Sequence, residues 1–129
     1  REREAFGAPI VQYQGVSFPL AEAETQLTMM RQLCYYTLDL RDRGLPHTAE
    51  AAMCKWYLPK TACEILHQCL ILHGHYGYTT DLPHHQRYND VLGLQIGDGT
   101  AQIQKLVIAR EKVGRVALQY DKKAKGAAK

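Results

Sequence analysis

The sequence predicts an all-α protein, an up-and-down four-helix bundle of three long helices and one short one. Apolar residues recur at helical spacing through three long stretches, and no stretch alternates apolar with polar as a half-buried strand does. Clusters of glycine and proline, which stop helices, stand between the stretches.

The first stretch runs from Pro19 to Arg43. Leu20, Ala23, Leu27, Met30, Cys34 and Leu38 mark its apolar face, with Glu22, Glu24, Arg31 and Arg41 among the other residues. Gly44-Leu45-Pro46 ends it, because glycine suits the position after a helix and proline cannot continue the ladder. A second helix is expected from Thr48, read as its N-cap, to about His73, with Glu50 in its first turn. Ala52, Trp56, Ala62, Ile65, Leu66, Cys69 and Leu72 make it apolar around much of its circumference, so it should be the most buried element. Pro59 removes a backbone hydrogen bond, which predicts a kink between Trp56 and Pro59, or a break into two helices.

Gly74 to Gln86 is rich in glycine, threonine and histidine and reads as a loop long enough to be functional. A short helix from about Arg87 to Ile96 follows, then a Gly97-Asp98-Gly99 turn. The last helix is expected over Thr100 to Tyr120, with Ile103, Leu106, Val107, Val113, Val116 and Ala117 on its apolar side. Arg1 to Gly7 reads as the last turns of a helix that begins upstream. Residues 1–120 thus form one helical domain, and 121–129 a Lys-rich tail expected to fray.

With 129 residues, 46% hydrophobic and 22% charged, the chain fits one soluble domain with a core. Its net charge of +3 is slight and partly in the tail, so nucleic-acid binding is not expected. No apolar run approaches the roughly 20 residues that span a bilayer, and the amino terminus lacks a signal-peptide core, so a cytoplasmic or similarly reducing location is expected. Cys34, Cys54, Cys63 and Cys69 lack C-x-x-C spacing and read as small buried hydrophobes. Cys63, His67 and Cys69 do not share one helix face, so no metal site is expected. The adjacent His84 and His85 read as surface residues.

The stretch with most chemistry is Gly97-Asp98-Gly99-Thr100. Two glycines allow a tight turn and close approach of a ligand, Thr100 can cap the following helix, and the helix amides favour an anion. Taken alone, Asp-Gly is a turn signal; placed in a site, the lone carboxylate is a base.

The rest of the chain supplies context. Arg3-Glu4-Ala5-Phe6-Gly7-Ala8-Pro9-Ile10 with Gln14, Ala51-Ala52-Met53-Cys54-Lys55, His73-Gly74-His75-Tyr76-Gly77-Tyr78 with Pro83 and Asp90, and Gly99-Thr100-Ala101-Gln102-Ile103-Gln104 with Ile108-Ala109-Arg110 occur in register. The chain up to Tyr120 resembles the C-terminal helical domain of the flavin-dependent acyl-CoA dehydrogenases. The resemblance implies that an N-terminal helical domain and a central β-domain precede this one, so the polypeptide is expected to be a C-terminal portion.

The resemblance implies FAD as cofactor and an acyl-CoA substrate, with Asp98 as the base that removes the α-proton while hydride passes from Cβ to the flavin. The family's usual residue there is glutamate. Aspartate is one methylene shorter, and an ångström of displacement can cost on the order of a hundredfold in rate, which points to relatives that act on alicyclic thioesters or on nitroalkanes. The family also has a branch whose base lies on another helix, leaving Asp98 as a turn residue. By the same resemblance Arg3 grips the diphosphate or adenosine part of a neighbouring subunit's FAD, Phe6, Tyr13 and Gln14 contact that cofactor, Thr100 and Gln102 contact FAD beside the base, and Gly99 and Arg110 belong to the acyl-CoA side. Ile71, Gly74-His75 and Asn89 depart from the family pattern, where glutamine, a glycine pair and arginine are usual. An electron-transfer flavoprotein or similar acceptor and assembly into a homodimer or homotetramer are implied partners. The competing functions are a nitroalkane-oxidase-like flavoenzyme and a non-catalytic helical oligomerisation module.

Overall fold

The computed structural model describes residues 3–119; the Lys-rich tail and Tyr120 lie outside the described residues. The chain opens on a hairpin, in which Glu4–Ala5 (β1) and Ala8–Pro9 (β2) pair antiparallel. Phe6 and Gly7 join them at φ of 53° and 79°, the two positive values that a type I′ turn requires. The helix end expected over Arg1 to Gly7 is therefore corrected for residues 4–7. The reason is local: left-handed backbone at Phe6-Gly7 breaks any helix. The Tyr13 hydroxyl donates to the Ala5 carbonyl at 2.9 Å and closes the hairpin onto the helix that follows.

That helix, α1, runs Gln14–Asp42 and begins before Pro19. Proline sits inside it because the one carbonyl it leaves unpaired belongs to Gly15, which is exposed to water. At its far end Gly44 takes φ 69°. Leu45 N–H donates to Leu40 at 2.8 Å and Gly44 N–H to Arg41 at 2.9 Å, the paired bonds of a Schellman motif.

Helix α2, Thr48–His73, is one unbroken helix through Pro59. His47, not Thr48, occupies its N-cap position. Short helix α3, His75–Tyr78, and α4, His84–Gly93, occupy much of the segment expected to be a loop, and α4 lies earlier than the Arg87 to Ile96 expected. Gly77 explains α3: a Cβ there would strike the Leu70 carbonyl oxygen and sit 2.7 Å from His73 Cβ, so only glycine lets α3 turn back onto the end of α2.

Helix α5 spans Ala101–Val113 and stops well short of Tyr120. Gly114 at φ 99° ends it, and a 3₁₀ turn, Arg115–Ala117, follows. Val113 and Val116, expected on the apolar face, are 67% and 78% exposed. The stop signal in this stretch was a single glycine without a proline, easily passed over within a helical pattern.

All the other helices pack on α2. It holds the buried Ala49, Glu50, Ala52, Thr61 and Cys63, so it is the most buried element among the described residues, as its apolar circumference predicts. Helix α5 runs antiparallel along it: Lys105 Nζ lies 4.6 Å over the Trp56 ring, and Lys112 Nζ reaches Glu50 Oε1 at 2.6 Å. The four cysteines are free thiols; Cys63 is buried and the others are half-buried.

Candidate functional site

The acid sits where two helices are tied to α2. After α4 the chain turns through Leu94 to Gly97, with Gly97 N–H donating to the Gly93 carbonyl at 3.0 Å. Lys55 Nζ donates to the Leu94 carbonyl, and Gln95 Nε2 donates to Cys63 Sγ at 3.2 Å. Both anchors lie on α2. The chain then passes through Asp98 at φ 53° and Gly99 at φ 98°. Left-handed backbone is uncommon for a residue with a side chain, though aspartate tolerates it better than most. A Cβ at Gly99 would lie 2.8 Å from Gln104 Nε2, so the end of that side chain would have to move, and the positive φ itself favours glycine there.

Asp98 is exposed, and its carboxylate has no hydrogen bond or ion pair to another described residue. Thr100 occupies the N-cap of α5, but its hydroxyl makes no capping bond there. The expected side-chain cap is thus absent, which leaves the first amides of α5 unpaired by Thr100. Gln102 is exposed on the first turn of α5. Arg110 lies two turns further and pairs with its neighbour, Nη2 to Glu111 Oε1 at 2.7 Å, on the surface.

A second cluster forms at the other end of α2. Gly74 takes φ 62°, and a Cβ built on it would lie 3.2 Å from Arg3 Nη1. Arg3 therefore lies over a backbone without a side chain. Arg3, Ile10, Leu72, His73, Tyr76 and Leu82 are among the residues lining an open cavity of about 500 Å³. Phe6 is 98% exposed, so it is not a core residue; its ring meets Tyr13 edge-on, centroids 6.4 Å apart. Gln14 is the exposed first residue of α1. Ile71 is 54% exposed.

The two clusters are distinct. The Asp98 turn is tied to Lys55 and Cys63, and at 1.5 Å rise per residue these lie roughly 15–30 Å from Gly74 along α2.

His84 corrects the surface reading. It is 8% exposed, its ring is 4.6 Å from that of His73, and its Nδ1 is buried without a hydrogen-bond partner. Burial, with the neighbouring His73, Arg87 and His85, holds its pKa below the ordinary value. His85 does stay exposed, its Nε2 at 2.7 Å from the Tyr78 carbonyl oxygen. Among the described residues no group of His, Cys, Asp and Glu is arranged to hold a metal ion, and no helix is long and apolar enough to cross a membrane. Lys55 and Gln95 received no role from the sequence; their partners, Leu94 and Cys63, lie 39 and 32 residues away in the chain, so no local pattern shows these contacts.

A helical bundle with a glycine-flanked acid at the start of its last helix and an arginine over a glycine at the end of its central one defines a recognisable domain class. The family model described as acyl-CoA dehydrogenase, C-terminal domain, matches residues 1–113. The chain is 39% identical over 114 residues to an acryloyl-CoA reductase (NADH) of Anaerotignum propionicum, covering 88% of this chain and 29% of that protein. It is 38% identical over 107 residues to the mitochondrial short-chain specific acyl-CoA dehydrogenase of Rattus norvegicus, covering 83% and 26%. Among solved structures, butyryl-CoA dehydrogenase of Megasphaera elsdenii superposes with a TM-score of 0.83 at 28% identity over 87% of this chain and 29% of that one. An FAD complex of PigA superposes with a TM-score of 0.84 at 26% identity, covering 88% and 30%. The chain belongs to the acyl-CoA dehydrogenase family and is its C-terminal domain. It spans under a third of the length of these relatives.

Proposed function

We propose that the protein carrying this domain is an FAD-dependent acyl-CoA dehydrogenase in which Asp98 takes the α-proton of an acyl-CoA thioester, with branched or alicyclic chains as the favoured substrates. The observation that carries the reading is Asp98 itself: a carboxylate held left-handed between glycines, without an ion-pair partner, at a turn anchored twice to the central helix. A residue with a side chain kept left-handed in a firmly held turn supports a functional reading of the position.

The chain's residues fit the cofactor. Arg3 presents a guanidinium beside a glycine that a Cβ would crowd, which suits a diphosphate. Phe6, Tyr13 and Gln14 would complete that end of the cofactor, and Thr100 and Gln102 would hold the part beside the base. FAD, when bound, accepts the hydride that leaves Cβ. Asp98 abstracts the proton, Gly99 leaves space for the thioester next to it, and Arg110 serves the acyl-CoA side. The same groups can run the reverse addition, in keeping with the name of the acryloyl-CoA reductase relative.

The separation of the two clusters supports a further point: Arg3 and its neighbours hold the FAD of an adjacent subunit, so the enzyme is a homodimer or homotetramer. Exposed Phe18, Met29, Tyr35 and Tyr36 on α1 offer apolar surface for such assembly. An electron-transferring flavoprotein or similar carrier reoxidises the enzyme, in the cytoplasm. This domain alone retains little FAD and is inactive, because the ring lies between domains.

The test is anaerobic bleaching of the flavin in the intact protein with straight, branched and alicyclic acyl-CoA thioesters and with a nitroalkane. Bleaching by a thioester class supports the proposal. Bleaching by nitroalkane alone selects the oxidase, and bleaching by none selects an oligomerisation module.

A further inference from the structure

Across the seam between α1 and α2, two cysteines line one groove. Cys34 lies on α1 and Cys54 on α2, and both line the same open groove of about 440 Å³ together with Thr37, Leu38, Ala51, Lys55, Leu58 and Pro59. Thr37, one turn after Cys34, has its hydroxyl oxygen 3.4 Å from Cys54 Sγ. That hydroxyl already donates to the Leu33 carbonyl at 2.8 Å, so the Cys54 thiol is the donor to Thr37. Cys34, one turn before Thr37 on the same face of α1, therefore faces the same groove as Cys54. The contact is long-range in sequence and joins the two arms of the helical hairpin that turns at Gly44. Cys34, Cys54 and Thr37 belong to neither the Asp98 nor the Arg3 cluster; of the groove's lining only Lys55 also reaches the Asp98 turn.

We infer that Cys34 and Cys54 form a redox-sensitive pair that closes to a disulfide between α1 and α2 when the protein meets a peroxide. The groove supplies the access such an oxidant needs. Burial and the neighbouring Cys54 hold the Cys34 thiol above its ordinary pKa, which suits Cys34 to the second, resolving step. The Cys54 thiolate attacks one peroxide oxygen and breaks the O–O bond, giving a sulfenic acid and releasing hydroxide, which takes up the proton the thiol lost. Cys34 then attacks the sulfenic sulfur; an S–S bond forms, the S–O bond breaks and water leaves. Two thiols are oxidised, one hydrogen peroxide is reduced, and two waters result. Cys63 is unsuited to this exchange: it is buried and held by the Gln95 amide at 3.2 Å.

The intact protein is treated under native conditions with hydrogen peroxide, alkylated, digested with trypsin without reduction and mapped by mass spectrometry. Cleavage after Arg31, Arg41, Arg43 and Lys55 puts Cys34 alone in 32–41 and Cys54 alone in 44–55, while Cys63 and Cys69 share a third peptide. The expected result is a cross-linked 32–41/44–55 species as the dominant disulfide of this domain. It reverts to two alkylated peptides after dithiothreitol, survives in Cys63→Ser and Cys69→Ser, and is lost in Cys34→Ala and in Cys54→Ala. Cys34 and Cys54 recovered as free thiols or as sulfinic acids, or linked to Cys63 or Cys69, would overturn the inference.

Discussion

Lys55 Nζ, on the central helix, donates a hydrogen bond to the carbonyl oxygen of Leu94, four residues before Asp98 in the turn that leads to it. A helix side chain thus fixes the height of the turn carrying the acid.

Removing that hold should misplace the acid without removing it. Lys55→Met is expected to lower kcat of the intact enzyme by about 10–100-fold, the cost of a displacement near an ångström, with KM changed much less. Steady-state kinetics beside a melting curve check this; an unchanged kcat would leave Lys55 a purely structural residue.

Lys112 and Glu50 make a pH-dependent clasp between the end of α5 and the start of α2. The hydrogen bond from Lys112 holds the Glu50 carboxyl below its ordinary 4.5, and the same bond holds Lys112 above its ordinary 10.5. A lowered carboxyl contributes stability above its unfolded pKa and loses it as pH falls through the folded value; a raised ammonium contributes below its unfolded pKa and loses it as pH rises through the folded value. The clasp is therefore fully present between about pH 4.5 and 10.5. Glu50→Gln should lower the melting temperature by a few degrees at pH 7, and the difference should vanish in strong acid.

His84 acts in the same sense as Glu50, but at milder acidity. Its folded pKa lies below the ordinary 6.5 because it is buried. Between the folded value and 6.5 the unfolded chain binds a proton that the folded chain does not, so stability falls as pH drops through that window and levels off below it. Melting curves from pH 7.5 to 5 should show this slope, and His84→Phe should flatten it.

Much of the architecture was legible in the residues, and its failures have physical causes. The apolar circumference of α2 marked it as the buried centre, and Gly44 and Pro46 marked the α1–α2 turn. The start of α1 was misread because its signal residue sits inside the element, Pro19 lying in the second turn; α2 begins at Thr48 as expected, with His47 rather than Thr48 at the cap. The amino-terminal hairpin was missed because its strands are only two residues each, too short for alternation to register. The Asp98 turn was visible from its glycines, whereas its anchors Lys55 and Gln95 and the burial of His84 arise from packing between distant segments. No local pattern encodes those.

Phe6 occupies a left-handed position at φ 53° with its side chain almost wholly in water, an arrangement that disfavours bulky residues. Phe6→Asn would create the Asn-Gly pair that type I′ turns prefer. Stability should rise by roughly 1 kcal/mol, the lower end of the cost of left-handed backbone for a residue with a Cβ, while FAD retention by the intact protein should fall if Phe6 holds the cofactor as proposed. Thermal melts and flavin absorbance read the two effects separately.

The central claim is that Asp98 is the base, and the rate of anaerobic flavin bleaching by a reactive acyl-CoA in Asp98→Asn tests it most directly. The account predicts a loss of about 10²–10⁴-fold, the usual contribution of a general base, with FAD content and melting temperature unchanged. Bleaching at the unsubstituted rate would contradict it and leave Asp98 as a turn residue.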